Sequence, residues 1–137
     1  MMENVDGTEI MREIKLGDFK KARISKARKL LKSFKLKNRA FVFPYIPGYN
    51  KDLNPYVVES DGDGGWVHLP MTKPCTGFIR TRDVSVKGVG TCIHTDLAVM
   101  IRDSIRAIRR KGEKVNREAI IEDIEEYNVL HPPTDDD

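Results

Sequence analysis

The stretch YVVESDGDGGWVHL, residues 56–69, decides the fold. Two short runs built from Tyr, Val, Trp and Leu flank the five-residue segment DGDGG at 61–65. β-branched and aromatic residues suit a half-buried pleated surface, and Gly and Asp supply the dihedrals of a tight reversal. The pattern predicts a β-hairpin with strands at 56–60 and 66–69.

Working outward, FVF at 41–43 is a further strand, stopped by Pro44, and YIPG at 45–48 reads as a turn. Downstream, Pro70 and Pro74 enforce an extended connection. Residues 77–83, 84–87 and 89–93 read as short strands, with Gly88 and Gly90 marking a bend or bulge. Together these predict an antiparallel β-meander of four to five strands.

Helical periodicity brackets that centre. Leu97, Met100, Ile101, Ile105 and Ile108 form a stripe at helical spacing; Thr95 is the predicted N-cap and Gly112 the stop. Asn116 is the predicted cap of a second helix with the stripe Ile120, Ile121, Ile124 and Tyr127, and Val115 is placed to staple onto Ile120. Before the sheet, Asp18 is the predicted cap of a basic helix over 19–35, with Ile24, Ala27, Leu31 and Phe34 on one face. Most lysines and arginines then fall on the other face, Lys20 and Arg23 excepted. The expected architecture is α+β: an N-terminal basic helix, the meander, and a C-terminal antiparallel helix pair. Residues 1–17 read as an N-terminal arm or edge strand, 18–130 as a single α+β domain, and 131–137 as a mobile acidic tail.

At 137 residues the chain can bury a core without staples, and 39% apolar against 33% charged residues is a globular balance. No apolar run approaches the ~18 residues of a membrane span. The first residues carry acids and no apolar signal core, and two cysteines do not make a disulfide framework. These features predict an intracellular setting, cytoplasmic or nuclear.

The net charge of +3 conceals a strong segregation. Residues 20–39 hold ten bases and no acid: Lys20, Lys21, Arg23, Lys26, Arg28, Lys29, Lys32, Lys35, Lys37 and Arg39. Residues 113–137 hold nine acids against Lys114 and Arg117. Solvated faces usually mix both signs, so a one-sign cluster points to a polyanion, nucleic acid or an anionic membrane surface. Arg102, Arg106 and Arg109, with Arg110 beside them, form a second basic face. Arginine forks suit phosphate, yet Glu122, Asp123, Glu125 and Glu126 of the next helix are candidate internal partners.

Tyr45, Tyr49 and Tyr56 lie among prolines and glycine and are candidates for stacking unpaired bases, whereas Phe41 and Phe43 share a strand face and read as core. His68, Cys75, Cys92 and His94 match the ligand types of tetrahedral zinc, but the spacing lacks a Cys-x-x-Cys. A small buried cysteine and surface histidines account for the same residues, so no metal is assigned. DGDGG at 61–65 lacks the later glutamate of a calcium loop and reads as a turn. No nucleophile is paired with a base, so no catalytic residue and no cofactor is expected.

The sequence therefore predicts a non-enzymatic nucleic-acid-binding protein, for RNA or single strands, acting through the basic helix. The competing reading is a small self-assembling homo-oligomer, a viral, matrix-like or adaptor protein whose basic surface meets a membrane or an acidic partner.

Overall fold

The computed structural model describes residues 12–37, 40–44, 56–60, 66–69, 75 and 92–131, with residues 22 and 66–69 described by backbone alone. The fold is α+β, with an antiparallel sheet and a C-terminal helix pair, as the sequence implies. Helix α1 spans Lys21–Ser33, and strands β1 (Lys35–Lys37), β2 (Ala40–Phe43), β3 (Tyr56–Ser60) and β4 (Trp66–Leu69) follow. Helices α2 (Ile93–Arg110) and α3 (Arg117–Leu130) close the described chain. Among the described residues one sheet runs β1-β2-β3-β4, every neighbour antiparallel. The strands expected over 77–83 and 84–87 lie outside the described residues, as do the turns at 45–48 and 61–65.

The sheet register follows from burial. Phe41 pairs with Val58 and Phe43 with Tyr56, which places Phe41, Phe43 and Val58 on the covered face. At the edge, β1 is three residues long and exposed throughout, with Lys35 and Lys37 flanking Leu36. Short, lysine-bearing edge strands discourage pairing with another chain.

Helix α1 begins later and ends earlier than its pattern suggests. Lys20, not Asp18, is the N-cap residue, because Asp18 belongs to a 3-10 turn at Leu16–Asp18. There the Asp18 carboxylate accepts from the Lys15 backbone N–H at 3.0 Å. The helix ends when Phe34 adopts an extended conformation and turns its ring into the core, edge-on to Phe41 (centroids 6.3 Å apart) and tilted against Phe43 (6.4 Å). Burying that ring between helix and sheet starts β1 at the next residue.

Helix α2 also starts elsewhere. Residues 92 and 93 do not end a strand: Cys92 is the N-cap and Ile93 the first helical residue, with Thr95 three positions inside. The Thr95 hydroxyl oxygen accepts from the Cys92 N–H at 2.8 Å, and the Cys92 sulfur accepts from the Thr95 N–H at 3.5 Å. This reciprocal pair satisfies amide groups that a helix start otherwise leaves orphaned.

The predicted stripe of α2 is inside: Leu97, Met100, Ile101 and Ile108 are buried, with Ile105 packed against them. Gly112, at φ +73°, ends the helix. Its N–H donates to the Arg109 carbonyl and the Glu113 N–H to that of Ile108, the paired bonds of a left-handed helix stop. The Asn116 side chain accepts from the Ala119 N–H at 2.8 Å and opens α3, whose Ile120 and Ile124 pack into the same core.

Residues 12–17 contain no strand. Instead Leu16 is fully buried and Ile14 packs on the core. Arg117 donates to the Phe34 carbonyl at 3.0 Å, tying the start of α3 to the end of α1.

Candidate functional site

Among the described residues, chemistry-bearing side chains come together on the exposed face of α1 and at the junction of Cys75 with the start of α2.

On α1, Ala27, Leu30 and Leu31 face inward, so helical geometry turns Lys21, Arg28, Lys29 and Lys32 outward. With Ile24 and Ser25 these four line an open groove of about 520 Å³, and no carboxylate lines it among the described residues. Lys35 and Lys37 of β1 are exposed immediately after it. Lys26 is half-buried, and Arg39 lies outside the described residues. Lys20 and Arg23 stand apart, lining a different cavity with Ile14, Asp18, Phe19 and Asp96, where the charge is mixed. Burial pushes the Asp96 carboxyl up from its ordinary range, and Arg23 partly offsets this.

One groove cation is tied inward. Arg28 forks onto Glu125 of α3, with Nε to Oε2 at 2.9 Å and Nη2 to Oε1 at 3.0 Å. That hydrogen bond holds the guanidinium above its ordinary pKa. Both side chains remain substantially exposed, so a polyanion has access to the pair.

The second basic face is not what the sequence suggests. Arg102 is largely covered and engaged by Glu13 and Asp103, and the Asp103 carboxylate also accepts from the Glu13 N–H. Burial opposes the Arg102 charge, but the bonds to these carboxylates outweigh it and its pKa is raised. Two of the four acids of α3 expected to take the arginines are turned elsewhere: Asp123 to Arg12 and Ser104, Glu125 to Arg28. Arg106 and Arg109 are exposed but do not line the groove.

Of the stacking candidates, Tyr45 and Tyr49 lie outside the described residues. Tyr56 is not in a loop. It opens β3, half-buried, with its ring centroid 4.7 Å from that of His94. Packing against the imidazole covers part of the ring on which a base would stack.

His94 is likewise no surface histidine. It is 2% exposed, with the Phe43 ring 5.4 Å away on centroids. Its Nδ1 lies 3.8 Å from the Cys92 sulfur. Cys75 joins them, so that two sulfurs and an imidazole nitrogen all lie within 4.8 Å of one another, every residue buried. The cysteines are not joined in a disulfide. Burial pushes the Cys92 thiol well above its ordinary pKa, and the neighbouring Cys75 adds to the shift. His68, the remaining member of the set, sits on β4 as the register partner of Val58.

Sequence spacing pairs Cys92 with His94 only if they share a strand face. The structure instead places them on the first turn of a helix, whose cap bends Cys92 toward the His94 ring. A strand over 89–93 hides this arrangement; the local signal for it is Cys-x-x-Thr ahead of an apolar helical stripe.

The chain matches no protein-family model, no curated protein and no solved structure.

Proposed function

We propose that the protein binds nucleic acid through phosphate contacts made by the α1 groove and β1, with Lys21, Arg28, Lys29, Lys32, Lys35 and Lys37 as the contacting cations. The observation that carries this reading is the groove itself: among the described residues four bases and no acid line it, on the outward face of a helix whose other face is core. Each phosphate neutralised there releases condensed counterions, which supplies sequence-independent affinity. RNA or single-stranded DNA is the favoured form, because a flexible strand can follow a short groove and bring successive phosphates to lysines on one helix face.

An anionic membrane is the second polyanion that such charge could meet. Interfacial helices bury apolar side chains beside their basic ones. Here Phe34 is core and Phe19 packs against it, and Leu36 is the one large apolar residue exposed near these cations among the described residues. That distribution favours nucleic acid. Among the described residues no helix is long and apolar enough to cross a membrane.

Fluorescence anisotropy with a labelled single-stranded oligonucleotide tests the proposal. If four phosphates are neutralised, log K falls by about 3 for each tenfold rise in salt. The charge reversals Lys21→Glu, Lys29→Glu and Lys32→Glu together reduce both the affinity and that slope. A flat salt response would overturn the reading. Binding to vesicles containing acidic lipid, without binding to the oligonucleotide, would replace it with the membrane reading.

A further inference from the structure

We propose that Cys75, Cys92 and His94 are ligands of a bound zinc ion that pins the segment carrying Cys75 to the start of α2. The donor set is two thiols and one imidazole, the combination that borderline-soft tetrahedral ions prefer and that hard cations avoid. The spacing fits as well as the types. Zn–S bonds of ~2.3 Å and Zn–N bonds of ~2.0 Å at tetrahedral angles put sulfur and nitrogen about 3.6 Å apart. The Cys92 sulfur and His94 Nδ1 are 3.8 Å apart, and all three ligand atoms fall inside a 4.8 Å span.

The surroundings hold these donors in place. Cys92 is fixed by its reciprocal bonds with Thr95, and the Thr95 N–H pointing at its sulfur stabilises a thiolate there. The N-terminal end of α2 adds the positive partial charge of the helix dipole. His94 is held between the rings of Phe43 and Tyr56, which orient the imidazole and keep bulk water away. Two ligands come from one helical turn and the third from a residue seventeen positions before it, so the ion acts as a cross-link. The three donors occupy three tetrahedral positions, and a water or a further side chain completes the fourth. Binding proceeds by loss of the two thiol protons to solvent as the two Zn–S bonds form; no redox step is involved.

A Cys75–Cys92 disulfide is the competing use of the same sulfurs. It would use the two sulfurs but not the imidazole nitrogen 3.8 Å from the Cys92 sulfur, which is the reason to prefer the metal.

The test uses the full chain, purified under reducing conditions. Elemental analysis is expected to give one zinc per chain. After removal of zinc with a chelator, titration with Co²⁺ is expected to produce the intense visible bands of a tetrahedral ion and a near-ultraviolet thiolate-to-cobalt band, both lost on adding Zn²⁺. Cys75→Ser and His94→Gln are each expected to weaken Zn²⁺ binding more than about tenfold, a loss that even altering a ligand's hydrogen-bonded supporter can cause. Because the cobalt spectrum is read on the unaltered protein, a variant that fails to fold does not decide the matter. Reduced wild-type protein that gives no tetrahedral cobalt spectrum and holds no zinc would overturn the proposal, as would thiols that only oxidise to a disulfide and never take up metal.

Discussion

Arg12 and Asp123, 111 positions apart in the sequence, meet as a two-pronged ion pair with both side chains less than a tenth exposed. Nη1 lies 2.7 Å from Oδ2 and Nη2 3.2 Å from Oδ1. Ser104 of α2 donates to the same Oδ2 at 2.7 Å, and the Arg12 guanidinium stacks 4.2 Å from the centre of the Tyr127 ring. One carboxylate thus joins the N-terminal segment to both C-terminal helices.

Removing that carboxylate strands a buried cation. Asp123→Ala is expected to destabilise the fold by about 3–5 kcal/mol, seen as a lower urea midpoint. Replacing the pair together, Arg12→Met with Asp123→Leu, is expected to recover most of the loss, since buried pairs repay little beyond their own desolvation. A double variant no more stable than Asp123→Ala would show that the pair does more than compensate itself.

On the nucleic-acid reading proposed above, Glu125 would compete with phosphate for Arg28. Glu125→Gln is therefore expected to tighten oligonucleotide binding severalfold at low salt. Its cost in stability should stay under about 1 kcal/mol, because the pair is exposed. Anisotropy and urea unfolding on the same sample separate the two effects; unchanged affinity would place Arg28 outside the contact surface.

Phe34→Ala opens a cavity where α1 meets the sheet. The expected loss is about 3–5 kcal/mol, the range for a fully buried phenyl ring. Phe34→Leu, which retains most of the volume, should lose markedly less in the same unfolding measurement.

Gly112→Ala tests backbone strain alone, since nothing lies within 4 Å of where the added methyl would sit. Holding a non-glycine residue at φ +73° is expected to cost about 1–2 kcal/mol. Gly112→Asn should cost less than Gly112→Ala, because asparagine tolerates the left-handed region better.

Elements were legible where local chemistry dictates them. The 56–69 stretch announces β3 and β4, the stripe from Leu97 to Ile108 announces α2, and Asn116 and Gly112 mark where helices begin and end. Each rests on dihedral preference or periodicity within a few residues. Boundaries failed where a side chain had two uses. Asp18 can cap a helix or a turn, and Lys15 took it. Thr95 can be a cap or the third helical residue of one, and Cys92 settled which.

The sequence by itself determined the α+β class and the concentration of positive charge in residues 20–39. Only the tertiary structure decided which charges remain outside. The sequence offers Asp123 and Glu125 alike as partners for the α2 arginines, yet one is buried against Arg12 and the other is spent on Arg28. Nor could spacing bring Cys75 to Cys92 and His94. Both outcomes depend on which faces pack together across long stretches of chain, a global balance of burial and desolvation that no local pattern encodes.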